Sequence, residues 1–148
     1  IGDLAGPMAF AVLMGSSRAF YGKFGDKINL ERFMQYSAVL CMVSYLMIAF
    51  IPVPALGILG CAVCGLSVGI MWPGTFSMAA ASVKRGGTAL FALLALAGDV
   101  GCSSGPTYVG MISGALNDNL KLGIFAALIF PVLMIMGIKM IGSLQKYD

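Results

Sequence analysis

Residues 88–115 read TALFALLALAGDVGCSSGPTYVGMISGA, and this stretch decides the fold. A membrane helix needs about 20 mostly apolar residues to traverse some 30 Å of hydrocarbon at 1.5 Å per residue, and the stretch is long enough. One acidic residue, Asp99, stands near its middle. The pattern recurs on both sides. Further apolar stretches run from about Leu4 to Tyr21, Phe33 to Ile51, Leu56 to Ala79 and Leu122 to Ile141. Lipid offers no partner to open backbone groups, so each stretch must close its own hydrogen bonds as a helix or join a closed barrel. The runs are too long and too continuously apolar for the alternating ten-residue pattern of a membrane barrel. The expected fold class is therefore all-α, a polytopic membrane protein of five transmembrane helices.

Composition points the same way. Of 148 residues, 59% are hydrophobic and 10% charged, whereas an ordinary soluble domain carries roughly 25% charged residues. A water-soluble globule is excluded. The net charge of +3 is too small and too dispersed for a nucleic-acid surface, and no nucleic-acid partner is expected. The absence of His excludes His-dependent metal sites and Ser-His-Asp triads. Cys41, Cys61, Cys64 and Cys102 all fall inside apolar stretches. Cys61 and Cys64 form a CxxC, but no second pair completes a zinc shell, and buried thiols behave as small hydrophobes. No cofactor and no metal are expected. The chain opens at Ile1 with no charged region ahead of an apolar one, so no signal peptide is read and a fragment of a longer protein is expected.

Loops rich in Lys and Arg stay in the cytoplasm. Arg18, Lys23, Lys27, Arg32, Lys84, Arg85, Lys139 and Lys146 fall on one side of the five spans, and Lys121 alone on the other. The expected orientation is N-terminus outside and C-terminus inside, which agrees with an odd number of crossings. The spans also differ among themselves. Phe33–Ile51 has no Gly, and it and the last span read as peripheral, lipid-facing helices. The others carry Gly, Ser and Thr, with Gly57, Cys61, Gly65 and Gly69 at four-residue intervals and Gly101 with Gly105. Such small-residue stripes let helix backbones approach closely.

Three places could carry function. An acid at mid-span costs roughly 2.5–3.5 kcal/mol on insertion scales, so something must offset Asp99. Asp99 and Ser103 lie four apart and share a helix face with Ala95 and Thr107, while Gly98, Gly101, Gly105 and Pro106 loosen the helix. Asp99 reads either as a buried, cavity-lining carboxylate for solute or proton, or as an interhelical hydrogen-bonding group. Trp72 and Pro73 interrupt the third span, with Thr75 beyond them. Proline frees a carbonyl that a neighbour, water or ligand must satisfy, and Trp72 is either a stacking surface for a flat solute or an interfacial anchor. Arg18 is expected to snorkel toward the first connector. In that connector Asp26, Lys27, Glu31 and Arg32 make either a solvated loop or an ion-pair latch.

The connector carries a family resemblance. Gly22, Lys23, Phe24, Gly25, Asp26 and Lys27 resemble the G-x-x-x-D-R/K loop motif of the major facilitator superfamily, although Asn29 and Leu30 stand where the full motif continues. GLSVGIMWPGTFSMA and KRGGTALFALLALAGDVGCSSGPTYVGMIS are similar to the tenth and eleventh helices of sugar-type facilitators such as the fucose:proton symporter family. The resemblance implies helices eight to twelve of a twelve-helix transporter, an incomplete half that rocks against the missing N-terminal half about a midplane site. Gly22, Gly25, Asp26 and Lys27 would then form a cytoplasmic latch. Asp99, Ser103, Trp72 and Thr75 would border the path of a small polar solute, sugars included, in proton-coupled symport across the cell membrane. The competing expectation is a non-transport membrane subunit in which Asp99 pairs with a partner helix. An intramembrane aspartyl hydrolase fits poorly, because the other spans offer no second mid-membrane acid, and no enzyme activity is expected.

Overall fold

The computed structural model describes residues 2–83 and 86–144, the side chains of residues 2, 3, 26 and 144 excepted. Lys84, Arg85 and Lys146, used above for orientation, lie outside the described residues. The described chain is helical throughout: α1 (Gly2–Phe24), a short 3-10 turn (Gly25–Lys27), α2 (Leu30–Phe50), α3 (Pro54–Val68), α4 (Met71–Ser82), α5 (Gly87–Ala115), α6 (Leu120–Ala126) and α7 (Ile129–Leu144). Local chemistry sets the boundaries. Asn29 caps α2 by accepting the amide of Arg32, Pro54 opens α3, and Asn119 caps α6 by accepting the amide of Leu122. Asn117 and Asp118, with φ of 58° and 56°, make the turn between α5 and α6 in the left-handed region that these two residue types tolerate.

Four helical stretches are long and apolar enough to cross a membrane: Leu30–Phe50, Pro54–Ser82, Gly87–Ala115 and Leu120–Ser143. They are compatible with a multi-pass membrane protein. The first expected span is a 23-residue helix but is not among the four. Pro7, Arg18 and the Gly15-Ser16-Ser17 run dilute its apolar content.

Two expected spans are each broken in two. The third was expected to break at Trp72–Pro73, yet its helix interrupts at Gly69–Ile70. A proline cannot donate to the carbonyl four residues before it, so Pro73 shifts the defect back to Gly69. The last span breaks at Ala127–Leu128, four residues before Pro131, by the same logic.

The expected division into inner and outer helices fails at α2 and α5. Far from peripheral, α2 packs against α3, α4, α6 and α7. Its Met34, Ser37, Ala38, Cys41, Ser44 and Ala49 are buried, and Met34 joins Met78 of α4 and Ile138 of α7 in the core. Small Ser, Ala and Cys side chains on α2 serve for close approach where glycine was looked for. By contrast α5 touches mainly α6 and, more lightly, α4, and none of its membrane-length window is buried. The Gly65 and Gly69 half of the α3 stripe does pack closely: a Cβ on Gly65 would strike the Phe10 backbone of α1, and one on Gly69 would lie 2.8 Å from Met14 O. Gly57, Gly101 and Gly105 face open space.

Candidate functional site

The break in the third span is also where the chain spends a charge. With no amide on Pro73, the Gly69 carbonyl loses its helical donor, and the Nε of Arg18 donates to it at 3.2 Å. Arg18 thus does more than snorkel from the end of α1. It supplies the donor that the proline removed, at the C-terminal end of α3 where a cation also suits the helix dipole. Beyond the break the ladder resumes, with the Gly74 amide donating to the Ile70 carbonyl at 2.8 Å.

Trp72, just past that break, covers α5. Its ring lies over Gly98, where any Cβ would overlap the indole. From there an aromatic ladder continues, Trp72 to Phe76 at 4.7 Å between centroids and Phe76 to Phe91 at 5.7 Å with planes 11° apart. These rings join α4 to α5 by offset and tilted stacking. Thr75 turns its hydroxyl back onto the Met71 carbonyl at 2.7 Å. Trp72 and Thr75 share the wall of a cleft of about 360 Å³ with Cys41, Tyr45, Phe130 and Pro131.

Asp99 and Ser103 lie elsewhere. They line an open groove of about 590 Å³ along α5 with Ser104, Thr107, Tyr108 and Met111. The four residues expected along one path are therefore divided between two concavities, linked where Trp72 packs on Gly98, the residue before Asp99. Asp99 and Ser103 are both exposed on this chain rather than buried within it. The cause is the sparse packing of α5, which meets α6 along one flank and leaves its Asp99 face bare. Ser103 donates to the Asp99 carbonyl at 3.0 Å and Thr107 to the Ser103 carbonyl at 2.8 Å. Their hydroxyl protons thus serve the local backbone, and the oxygens are left to accept.

The first connector holds together through rings. Gly25 lies against the Tyr21 ring, where a Cβ would approach to 3.1 Å, and Tyr21 stacks on Phe33 across the turn at 6.3 Å. Lys23 lies over the Phe24 ring at 5.6 Å, Lys27 is exposed, and Gly22 faces open space. The side chain of Asp26 lies outside the described residues, and with it the expected latch pairing. Glu31 accepts from Gln35 Nε2 at 3.3 Å and rests against Gly142 of α7.

No known protein family, curated protein or solved structure matches this chain. What the site can do rests on its own residues. Among the described residues no group of three or more His, Cys, Asp or Glu side chains could hold a metal ion. Sequence reasoning missed two features. One is the Arg18 bond to Gly69. The other is the matched pair of Cys-x-x-Ser turns, Ser44 donating to the Cys41 carbonyl at 2.8 Å and Ser67 to the Cys64 carbonyl at 2.7 Å, where α2 and α3 meet. The repeat of Cys, two residues and Ser was visible in the sequence as its signal.

Proposed function

We propose that this chain is part of a secondary active transporter of the cell membrane, corresponding to helices eight to twelve of a major facilitator, in which the Asp99 groove faces the solute path. The observation that carries the reading is an exposed carboxylate near the middle of a 29-residue helix of membrane-crossing length. An acid left against acyl chains is costly, so the surface opposite Asp99 is a watered path or other protein. In this reading α1 also crosses, because it packs along the length of α3 and its Arg18 completes the α3 backbone. That restores five crossings, with the N-terminus outside and the C-terminus inside. The solute is small and polar, sugars being within the class, and protons are the coupling ion. Gly22, Gly25, Asp26 and Lys27 form the latch that meets the other half of the transporter.

The bare α5 face also suits the alternative of a membrane subunit whose Asp99 pairs with a partner helix. Uptake separates the two. In the full-length protein, Asp99→Asn is expected to abolish or uncouple uptake while membrane insertion continues. Uptake that keeps both its rate and its pH dependence would place Asp99 outside the path and favour the subunit.

A further inference from the structure

A third concavity, separate from the Trp72 cleft and the Asp99 groove, lies between α1, α2 and α3. It measures about 500 Å³ and is lined by Ser16, Ser17, Ser37 and Ser67 together with Phe20, Phe33, Tyr36, Leu40 and Leu66. No charged side chain borders it, and its walls are aromatic and aliphatic.

Two of its hydroxyls are unusual. Ser17 and Ser37 are only 6% and 8% exposed, and among the described residues neither makes a hydrogen bond. Ser16 and Ser67 by contrast donate to the Val12 and Cys64 carbonyls at 2.8 and 2.7 Å. Among the described residues no fully buried side-chain oxygen lacks a partner, so the free Oγ atoms of Ser17 and Ser37 are not sealed in protein, and both residues line the cleft. An unpaired hydroxyl at such a position is costly unless water or a ligand satisfies it.

We infer that this cleft binds an uncharged lipid whose head combines a free hydroxyl with ester carbonyls, as in a diacylglycerol. Each element of the head finds its counterpart. The two serine hydroxyls donate to ester carbonyls and accept from the free hydroxyl, and the rings of Phe20 and Phe33 flank the glycerol. The volume admits the head and the first carbons of the chains. The rest of the tails leave over Phe20 and Leu66, which are 51% and 39% exposed. A phosphate head is disfavoured because no cation lines the cleft to balance it.

The test uses the full chain in phosphatidylcholine nanodiscs and a diacylglycerol bearing a diazirine next to its ester groups. Photocapture is expected to map to residues 16–40 and 66–67, and to be competed by plain diacylglycerol but not by phosphatidic acid with the same tails. Ser17→Ala with Ser37→Ala is expected to lower capture at least about fivefold, the worth of one net hydrogen bond. Leu66→Trp, which fills the cleft from its exposed rim and leaves the serines in place, is expected to do the same, so the test stands if the serine pair fails to fold. Capture spread evenly over the helices, capture undiminished by Leu66→Trp, or equal competition by phosphatidic acid would overturn the assignment.

Discussion

Gly69 is the residue at which local chemistry and tertiary structure meet. Its carbonyl is orphaned by Pro73 and recovered by Arg18, fifty-one positions earlier in the chain. If that is the role of Arg18, its loss should matter only while the proline is present. Arg18→Leu is expected to destabilise the protein by about 1–2 kcal/mol, the scale of a hydrogen bond to a charged group less some solvent competition. Adding Pro73→Ala, which restores the amide, is expected to recover most of the loss, and a double-mutant cycle of unfolding in mixed detergent measures it. Independent, additive effects would mean that the two residues are not coupled. Gly65 makes a second residue-scale contrast. Gly65→Leu, driven into the Phe10 backbone, is expected to cost about 1–3 kcal/mol or more, while Gly57→Leu, which faces open space, is expected to be close to neutral in the same assay. The freed carbonyl was legible in the sequence, because the four-residue rule needs only the position of a proline. Its partner was not, since nothing local says which distant side chain will arrive.

At the scale of helices, the sequence announced where the chain is helical but not which helix lies inside. Glycine stripes drew attention to α3 and α5, yet α2 is the hub. Its contact stripe of Met34, Ser37, Ala38, Cys41 and Ser44 follows helical spacing without a single glycine. In an apolar span every face is hydrophobic, so polarity cannot report the buried side, and only residue size remains as a signal. The α4–α5 contact offers a direct test because Trp72 is the sole tryptophan. Gly98→Val must displace the indole, and its emission is expected to shift and its quenching by acrylamide or by brominated lipid to change by about twofold or more. Unaltered fluorescence would mean that the ring does not rest on α5.

For the molecule as a whole, the membrane class was legible from hydropathy alone, and Asp99 was found by its isolation. Its exposure was not legible, because the packing of α5 depends on which neighbours reach it rather than on its own residues. If the Asp99 groove is watered, Ser103→Cys in a background lacking the native cysteines is expected to react with a hydrophilic thiol reagent in intact membranes, at least tenfold faster than Leu93→Cys, another exposed position of α5. Equal, slow reaction at both would indicate that lipid covers the groove. At the first connector, Asp26→Asn in the full-length protein is expected to slow turnover more than it weakens solute binding, since a latch acts on the conformational step. Equal losses in uptake rate and affinity would remove the latch.

The two proline-made interruptions, at Gly69–Ile70 and Ala127–Leu128, divide long rods into shorter levers that both abut α2. A rod missing one rung of its ladder bends there before it bends anywhere else. Flexing of these two rods is therefore expected at the joints that lie against α2, and deuterium should enter the backbone amides beside those joints sooner than along α2.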